Sequence, residues 1–384
     1  MQTAIVTTEK MVFGGSCLSE IEGKKIFIPY ALPNEMLEIS VIKEHKNYCE
    51  GKIEKIITPS KNRKNPECPY FYFCGGCNLQ MAEDKYQQKL REQMAIEAFC
   101  RAFKKEKHHA EFISGKSWEY RSRFQFHLNA DKQITLKKQN SKELICVNDC
   151  PIAVPAVRDL LKEKNYDKYF NGNLQKERIH LFSSGNRIFT EDNASSCFTC
   201  ILNKKINFNP LGFFQSNLEM TEKLIRLMLE EIKPCRRILD FYAGVGTFSL
   251  FMLEFAEEIH LLEHNKHALK YAEINLDEEK KRINGNARIF YHGFDSKNWL
   301  KNNGSKLKFD IVIIDPPRSG IDKNTLEWLC TNQAGKIIYV SCDPVSFAQN
   351  AFKLVSSGYK LEKHYLLDFY PQTHHIETMA VFRL

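Results

Sequence analysis

The chain has 384 residues, of which 43% are hydrophobic and 27% are charged, a composition typical of soluble globular proteins with more than one domain. It has no apolar run as long as a membrane helix requires and no signal peptide at its start, so we expect a cytoplasmic protein with no membrane contact. Lys and Arg outnumber Asp and Glu by 55 to 47, which suits a polyanionic partner, and 13 cysteines in such a protein indicate metal binding or catalysis rather than disulfides.

Residues 1–60 carry three short β-prone runs separated by turn residues. These runs are Lys25–Ile28, Glu38–Ile42 and Gly51–Ile57. Their spacing predicts a small five-stranded β-barrel of the oligonucleotide-binding kind. The lysines on these strands and turns favour contact with RNA, although a β-module without a ligand has the same pattern. The polar stretch 59–66, bounded by prolines, is interpreted as a linker.

Three cysteines follow the linker in a Cys-x5-Cys-x2-Cys pattern. They are Cys68, Cys74 and Cys77. Zinc and iron–sulphur clusters both accept four cysteines, so one ligand is missing. Cys150 is our candidate for it, with Cys146 and the pair Cys197 and Cys200 as alternatives. The aromatic residues 70–73 would exclude solvent, which favours an iron–sulphur cluster over zinc. The spacing is not the Cys-x3-Cys-x2-Cys of radical S-adenosylmethionine enzymes, so we expect a closed, structural site.

Residues 61–205 are predicted to form a central α+β domain. Its strongest element is a helix over 84–105, which is rich in helix formers and free of Gly and Pro, and which can pack on the catalytic domain. Arg121 and Arg123 then alternate with aromatic residues, a strip that can stack bases and pair phosphates. An amphipathic strand with solvated arginines explains the strip equally well.

From residue 206 onward the pattern is that of an α/β domain. A helix is predicted from Leu218 to Ile232, with Gln215 just before or at its start; by itself this polar residue is an ordinary helix flank. Further along, an apolar strand ending near Asp240 breaks into a glycine turn, and the next strand ends in Glu263.

The glycine turn is interpreted as part of a nucleoside-binding site. Gly244 and Gly246 would let a ligand approach the backbone. Glu263 comes 23 residues after Asp240, the distance at which a Rossmann-like fold places its ribose-binding acid. Because no Gly-x-Gly-x-x-Gly motif occurs, S-adenosylmethionine fits this site better than a dinucleotide. Asp295, beyond a third strand, is a candidate adenine contact.

Two more apolar strands end in Asp315 and Cys342, each with prolines close behind. Ligands of open parallel sheets bind in the crevice beyond the strand ends, so neighbouring strands would bring this carboxylate and thiol to one cleft. A buried, inert cysteine is the alternative for Cys342. Its surroundings favour a nucleophile.

These features resemble the RNA uracil-C5-methyltransferases, specifically the 23S ribosomal RNA branch with an N-terminal TRAM domain and an iron–sulphur cluster. The resemblance covers nearly the whole length. It is carried by Cys68-x5-Cys74-x2-Cys77 with Cys150-Pro151, Phe214-Gln215-x-Asn217, Asp240-Phe-Tyr-Ala-Gly244-Val-Gly246, Asp315-Pro-Pro-Arg318-x-Gly320, Ser341-Cys342-Asp-Pro344 and His375-Ile-Glu377.

The resemblance implies a role for each motif. Cys342 would be the nucleophile and Glu377 the base, although a solvated residue before a strand is the other interpretation of Glu377. The implied cofactor site is built from Gln215, Tyr242, Thr247, Glu263, Asp295 and Asp315. The implied ligands of a 4Fe-4S cluster are Cys68, Cys74, Cys77 and Cys150.

The expected architecture is thus a TRAM-like, OB-like β-barrel over 1–60, a central iron–sulphur and RNA-binding α+β domain over 61–205, and a Rossmann-like S-adenosylmethionine-dependent methyltransferase domain over 206–384. The expected substrate is 23S ribosomal RNA and the expected state a monomer. Three alternatives stay open: the same chemistry on the T-loop uridine of transfer RNA, a non-catalytic RNA-binding assembly factor, and a radical or electron-transfer iron–sulphur enzyme.

Overall fold

The computed structural model describes residues 3–164, 169, 177–293, 296–304 and 306–384, and its N-terminal strands form a five-stranded sheet in the order β1-β4-β5-β3-β2. These strands are β1 (Thr3–Thr7), β2 (Ser16–Ile21), β3 (Lys24–Pro29), β4 (Met36–Glu44) and β5 (Tyr48–Thr58). Just after β1, the Glu9 N–H donates to the Leu18 carbonyl and the Leu18 N–H donates to the Lys10 carbonyl, both at 2.8 Å. The segment that follows β1 is thus bonded to β2, and β1 and β2 are the two edge strands of the sheet. Fewer backbone groups at these edges are therefore left unpaired.

Helix α1 (Asp84–Phe103) and the short strand β6 (Glu111–Ile113) come next along the chain. The helix lies within the predicted span 84–105. Its Arg91 forms a buried ion pair with Asp368 at 2.6 Å, and Phe99 belongs to the apolar core under the C-terminal sheet. The helix therefore packs on the C-terminal part of the chain.

A second antiparallel sheet occupies the centre of the chain, in the order β11-β10-β7-β8-β9. Its strands are β7 (Arg123–Leu128), β8 (Ile134–Lys137), β9 (Leu144–Cys146), β10 (Arg178–Ser184) and β11 (Arg187–Thr190). Helix α2 (Pro155–Glu163) buries Val157 and Leu161 against Phe126 of this sheet. A separate hairpin follows, formed by β12 (Phe198–Ile201) and β13 (Lys204–Asn207).

The C-terminal part is built around an eight-stranded sheet in the order β16-β15-β14-β17-β18-β20-β19-β6. Its remaining strands are β14 (Cys235–Phe241), β15 (Ala256–Leu262), β16 (Arg288–His292), β17 (Ile311–Ile314), β18 (Lys336–Ser341), β19 (Lys360–Leu367) and β20 (Glu377–Arg383). Its helices are α3 (Leu218–Glu231), α4 (Ser249–Met252), α5 (Lys266–Arg282), α6 (Ser296–Asn303), α7 (Lys323–Asn332) and α8 (Pro344–Ser356). Among the described residues, no helix combines the length and the apolar character of a membrane span.

The first five strands of this sheet are parallel and follow the doubly wound order of Rossmann-like folds, as predicted. Strand β20 is antiparallel and lies between β18 and β19. Strand β6 extends the sheet by pairing in parallel with β19. Residues 111–113 thus belong to the C-terminal sheet, although the predicted domain limits place them in the central domain. The domain limits themselves stay predictions.

Candidate active site

Asp315 and Cys342 stand at the carboxyl ends of two neighbouring strands. Each follows the last residue of its strand, and β17 and β18 pair directly, with Ile314 opposite Tyr339. Parallel neighbours end at the same edge of a sheet, so the carboxyl and the thiol approach one crevice. The structure therefore brings together the two groups that the sequence placed at strand ends.

Glu377 reaches the same crevice from the antiparallel strand. Thr378 of β20 pairs with Ser341 of β18, so the next position along the ladder sets Glu377 opposite Cys342. Opposed residues of an antiparallel pair point to the same face, with Cα atoms about 5 Å apart. Glu377 is only 6% exposed, so the interpretation of this residue as a solvated strand cap is wrong.

The three groups share a buried electrostatic environment. Burial, and after it the nearby Glu377 and Asp315, raise the pKa of the Cys342 thiol to about 12. Burial and then Asp315 also hold the pKa of Glu377 well above its usual range. Arg318 acts in the opposite direction and lowers the pKa of both Cys342 and Glu377. Arg318 is therefore the cation that favours their ionised forms.

Arg318, His375 and Tyr370 also border the site. The sequence predicted no role for any of them. Arg318 and His375 stood inside the quoted motifs, so their spacing was a usable signal. Tyr370 had no such signal, because a loop aromatic has no characteristic spacing. Burial raises the pKa of Tyr370 to about 12, with Glu377 as the next cause, and its ring meets that of His375 edge-on at 6.0 Å.

The two glycines of the β14 turn have different surroundings. A Cβ on Gly244, which has φ +57°, would have nothing within 4 Å. A Cβ on Gly246, at φ +76°, would lie 2.6 Å from Cδ1 of Leu276 in α5. Gly244 thus leaves space for a ligand to approach, whereas Gly246 permits close packing of a helix.

Acidic residues support the turn from both sides. Glu263 accepts hydrogen bonds from the Gly244 N–H at 2.9 Å and the Asn265 N–H at 2.7 Å. Asp240 accepts one from the Ser249 hydroxyl at 2.6 Å, while its Oδ1 has no hydrogen-bond partner within the described part of the chain. Burial raises the pKa of Asp240 to about 7. Glu263, the predicted ribose-binding acid, therefore already fixes the turn.

The structure places three of the other predicted cofactor residues: Tyr242 and Thr247 in the β14 turn, and Gln215 in a separate loop. Tyr242 has a left-handed φ of +61°, and its hydroxyl donates to Asp322 at 2.9 Å. Thr247 is half-buried beside Gly246. Gln215 lies in the loop three residues before α3. Asp295 falls outside the described residues.

The four cysteines predicted as cluster ligands line one cavity of about 760 Å³. They are Cys68, Cys74, Cys77 and Cys150. Burial raises the pKa of all four thiols, to about 12 for Cys77 and Cys150. Of the alternatives, Cys146 is exposed with its thiol near Gln133, Cys197 lies in the core of the C-terminal part, and Cys200 is exposed. Cys150 is thus the candidate that shares the cavity.

The donor set suits an iron–sulphur cluster, since four buried thiols are its usual ligands and must lose their protons on binding. As the side chains stand, however, no group of three or more His, Cys, Asp or Glu in the described ranges is placed to hold a metal ion. The cluster therefore stays a prediction.

The arginine strip differs from expectation. The Arg123 guanidinium is largely withdrawn from solvent and donates to the Gly212 carbonyl at 2.7 Å, so it anchors the loop that leads to Gln215. Arg121 lies over the Phe124 ring at 4.8 Å and borders the cysteine cavity. Arg123 is therefore a structural residue, and Arg121 is the member of the strip beside a cavity.

Comparisons with known proteins show the family of the chain. Residues 182–383 match the model of the tRNA (uracil-5-)-methyltransferase family. The chain is 54% identical to an uncharacterized RNA methyltransferase of Treponema denticola, with 100% of both chains covered. It is 29% identical to the 23S rRNA (uracil(1939)-C(5))-methyltransferase RlmD of Shewanella sediminis, covering 100% of this chain and 96% of that one.

A solved structure shares the fold over nearly the full length. Pyrococcus abyssi tRNA (uracil-54, C5)-methyltransferase, in complex with S-adenosyl-L-homocysteine, matches with a TM-score of 0.73 at 19% identity, covering 98% of this chain and 99% of that one. The fold is that of a Rossmann-like S-adenosylmethionine-dependent methyltransferase. The chain belongs to the tRNA (uracil-5-)-methyltransferase family, which confirms the predicted class of RNA uracil-C5-methyltransferase.

Proposed function

We propose that the protein transfers a methyl group from S-adenosylmethionine to C5 of a specific uridine in 23S ribosomal RNA. The observation that carries the chemistry is the placement of Cys342 opposite Glu377, with Asp315 at the end of the adjacent strand. Support for ribosomal RNA comes from the Shewanella sediminis relative, which is similar across 100% of this chain.

Cys342 is the proposed nucleophile. Uracil C5 is a poor nucleophile, so the thiolate first adds to C6: the S–C6 bond forms and the C5=C6 π electrons move into an enolate. C5 then takes the sulphonium methyl, and the electrons of the broken C–S bond stay on sulphur. Because the pKa of Cys342 is raised to about 12, its proton must pass to solvent as the attack proceeds, and Arg318 is proposed to stabilise the thiolate.

Glu377 is the proposed base. It removes the C5 proton, the released electron pair re-forms C5=C6, and Cys342 leaves as a thiolate. Asp315 is proposed to accept from uracil N3–H, a donor that cytosine lacks, and so to select the base. The target uridine must be flipped out of any stem, at a cost of a few kcal/mol.

The proposed cofactor site lies around the β14 turn, where Gly244 leaves open space. We assign it to Gln215, Tyr242, Thr247, Glu263, Asp295 and Asp315. Glu263 would use its remaining lone pairs for a ribose hydroxyl while holding the turn through the Gly244 N–H.

We also propose that Cys68, Cys74, Cys77 and Cys150 hold a 4Fe-4S cluster with a structural role, because these four half-buried cysteines share one cavity. Iron and sulphide should be measured on anaerobically purified protein. Cys150→Ser should lose both, whereas the matched control Cys146→Ser should keep them. A colourless wild type loaded with zinc would overturn the assignment.

The N-terminal sheet is proposed to be a TRAM-like barrel that contacts RNA. Several of its lysines are already paired within the sheet, Lys25 with Glu9 and Lys24 with Glu44. Among the described residues, Lys43, Lys46 and Lys55 form no ion pair and are the better candidates for phosphate contacts.

The deciding experiment is covalent trapping in cells fed 5-fluorouracil, followed by sequencing of the RNA attached to the purified protein. Fluorine at C5 blocks the proton loss that releases Cys342. Adducts at a defined 23S uridine, absent in Cys342→Ala, would support the proposal. Adducts at the transfer-RNA T-loop would favour the second candidate, to which the family description points. RNA that co-purifies without any adduct would favour a binding factor.

A further inference from the structure

Glu377 directly follows the loop between β19 and β20. Other parts of the chain hold this loop in place. It spans residues 368–376, and its backbone carbonyls are bound in succession by groups from three other regions. Asn217 Nδ2 donates to the Phe369 carbonyl at 3.0 Å, the Tyr120 hydroxyl to Pro371 at 2.8 Å, and the backbone N–H groups of Asn78 and Leu79 to Gln372 at 3.1 and 3.0 Å.

The loop needs such support because it is strained. Gln372 has a left-handed φ of +67° and is fully buried. A non-glycine residue keeps this conformation only when its surroundings impose it. Gln87 of α1 supplies part of the restraint, since its amide both donates to and accepts from Gln372, at 2.8 and 3.1 Å.

Asn78 contacts His374, a residue of the same loop. Its Oδ1 accepts from the His374 N–H at 2.9 Å, and its Nδ2 donates to Nδ1 of the same imidazole at 2.8 Å. Together with its backbone bond to Gln372, it fixes the main chain and the side chain of a residue three positions before Glu377. Asn78 also directly follows Cys77, one of the cysteines of the shared cavity.

The turn between β1 and β2 lies against the same asparagine. The Phe13 ring meets the His374 ring edge-on at 5.4 Å, and Asn78 Nδ2 also points at the Gly14 carbonyl, at 3.4 Å. A Cβ on Gly15, which has φ +81°, would lie 2.4 Å from Asn78 Nδ2. Gly14, at φ +108°, has nothing within 4 Å of such a Cβ. Three parts of the chain therefore meet at Asn78.

We propose that Asn78 is a positioning residue for proton removal: it sets the β19–β20 loop so that the Glu377 carboxylate reaches the C5 proton of the methylated adduct. This inference rests on the proposed function. It connects the cysteine-rich loop to the last chemical step through one side chain. Loss of the side chain would leave the His374 N–H without its acceptor, and a displacement of about 1 Å in a catalytic group can cost about 10²-fold in rate.

The test separates the two halves of the reaction in single-turnover experiments on RNA with tritium at uracil C5. Methyl transfer is followed as label incorporated from S-adenosylmethionine, and proton removal as tritium released. Asn78→Ala should transfer methyl at close to the wild-type rate, release tritium about tenfold or more slowly, and accumulate covalent protein–RNA adduct. Asn78→Asp, which keeps the Oδ1 acceptor, should recover part of the release rate. A merely structural role would slow both steps together.

Two glycine variants provide a matched pair that leaves Asn78 itself unchanged. Gly15→Ala and Gly14→Ala both place a side chain at positive φ, but only the first collides with Asn78. Gly15→Ala should therefore show slow tritium release with adduct, and Gly14→Ala should not. If Asn78→Ala and Gly15→Ala both release tritium at the wild-type rate, the role of Asn78 is wrong while the proposed function stands. A wild type that neither methylates nor forms adduct would overturn the proposed function with it.

Discussion

Glu377 raises the pKa of the Cys342 thiol, so the proposed base and the proposed nucleophile disfavour each other's ionised forms. Two anions so close together in a buried site are costly, and the group that is charged must change during the reaction. The arrangement suits two steps in sequence: the thiol ionises as it attacks C6, and the carboxylate acts only after sulphur is bonded to carbon. Arg318 limits the cost of either charge.

Replacement of the nucleophile should separate binding from chemistry. Cys342→Ala should lower methyl transfer by at least about 10³-fold and abolish the 5-fluorouridine adduct, with the Kd for S-adenosylmethionine unchanged. Cys330→Ala, a control at a half-buried cysteine outside the site, should behave as wild type. Loss of cofactor binding in Cys342→Ala would contradict the assignment.

Replacement of the base should stall the reaction later. Glu377→Gln should transfer methyl, fail to eliminate, and accumulate covalent protein–RNA adduct on unmodified RNA, with steady-state turnover at least about 10²-fold lower. Denaturing gel electrophoresis detects the adduct. Glu362→Gln, on the exposed part of β19 where it pairs with Arg383, is the control. A fully active, adduct-free Glu377→Gln would remove this residue from the mechanism.

The pH dependence should move when Arg318 is removed. Because Arg318 lowers the pKa of both Cys342 and Glu377, Arg318→Gln should raise both pKa values further. The rise of kcat/KM with pH should then shift to higher pH, with a loss of about tenfold or more near pH 7 that persists at pH 9, because both pH values lie below the Cys342 pKa of about 12. Lys323→Gln, an exposed site in α7, should leave the profile in place. An unshifted profile in Arg318→Gln would show that the guanidinium does not act on these groups.

Stability should also depend on the buried acid at the end of β17. Burial raises the pKa of Asp315 to about 7, so the folded protein binds this proton more tightly than the unfolded chain does. Its effect is absent well below pH 4, grows as a cost to folding while the pH rises from about 4 to about 7, and stays constant at higher pH. Asp315→Asn should therefore melt about 2–4 °C higher than wild type at pH 8, with a smaller gain at pH 5.

Thermal unfolding at both pH values is the measurement for Asp315→Asn. The exposed Asp131→Asn variant is the control, and its melting difference from wild type should not change with pH. A gain for Asp315→Asn that is equal at both pH values would rule out ionisation as its cause.

The strand ends that carry the site were predictable because the signals are local. An apolar β-prone run followed by a proline fixes where a strand stops, and Asp315 and Cys342 lie at those stops. The glycine turn after β14 was predictable for the same reason. Local patterns could not assign separate roles to Gly244 and Gly246, because the second role depends on a helix about 30 residues further along the chain.

The features that were not predictable depend on contacts between distant residues. Nothing near Arg123 indicates that its guanidinium binds the Gly212 carbonyl, and so both interpretations of the strip, RNA contact and solvated arginines, left this group at the surface. Glu377 was assigned through resemblance, because its burial follows from pairing between β18 and β20, which no local pattern specifies. The addition of β6 to the C-terminal sheet has the same origin.

Strand β20 follows every other described strand along the chain, yet it lies between β18 and β19 in the sheet. During synthesis, β19 and β6 therefore cannot join the rest of the sheet until β20 has emerged to connect them. Contacts between such distant segments form slowly, so this junction should close late in folding. The same strand brings Glu377, so a nascent chain acquires the proposed base only when the sheet is complete.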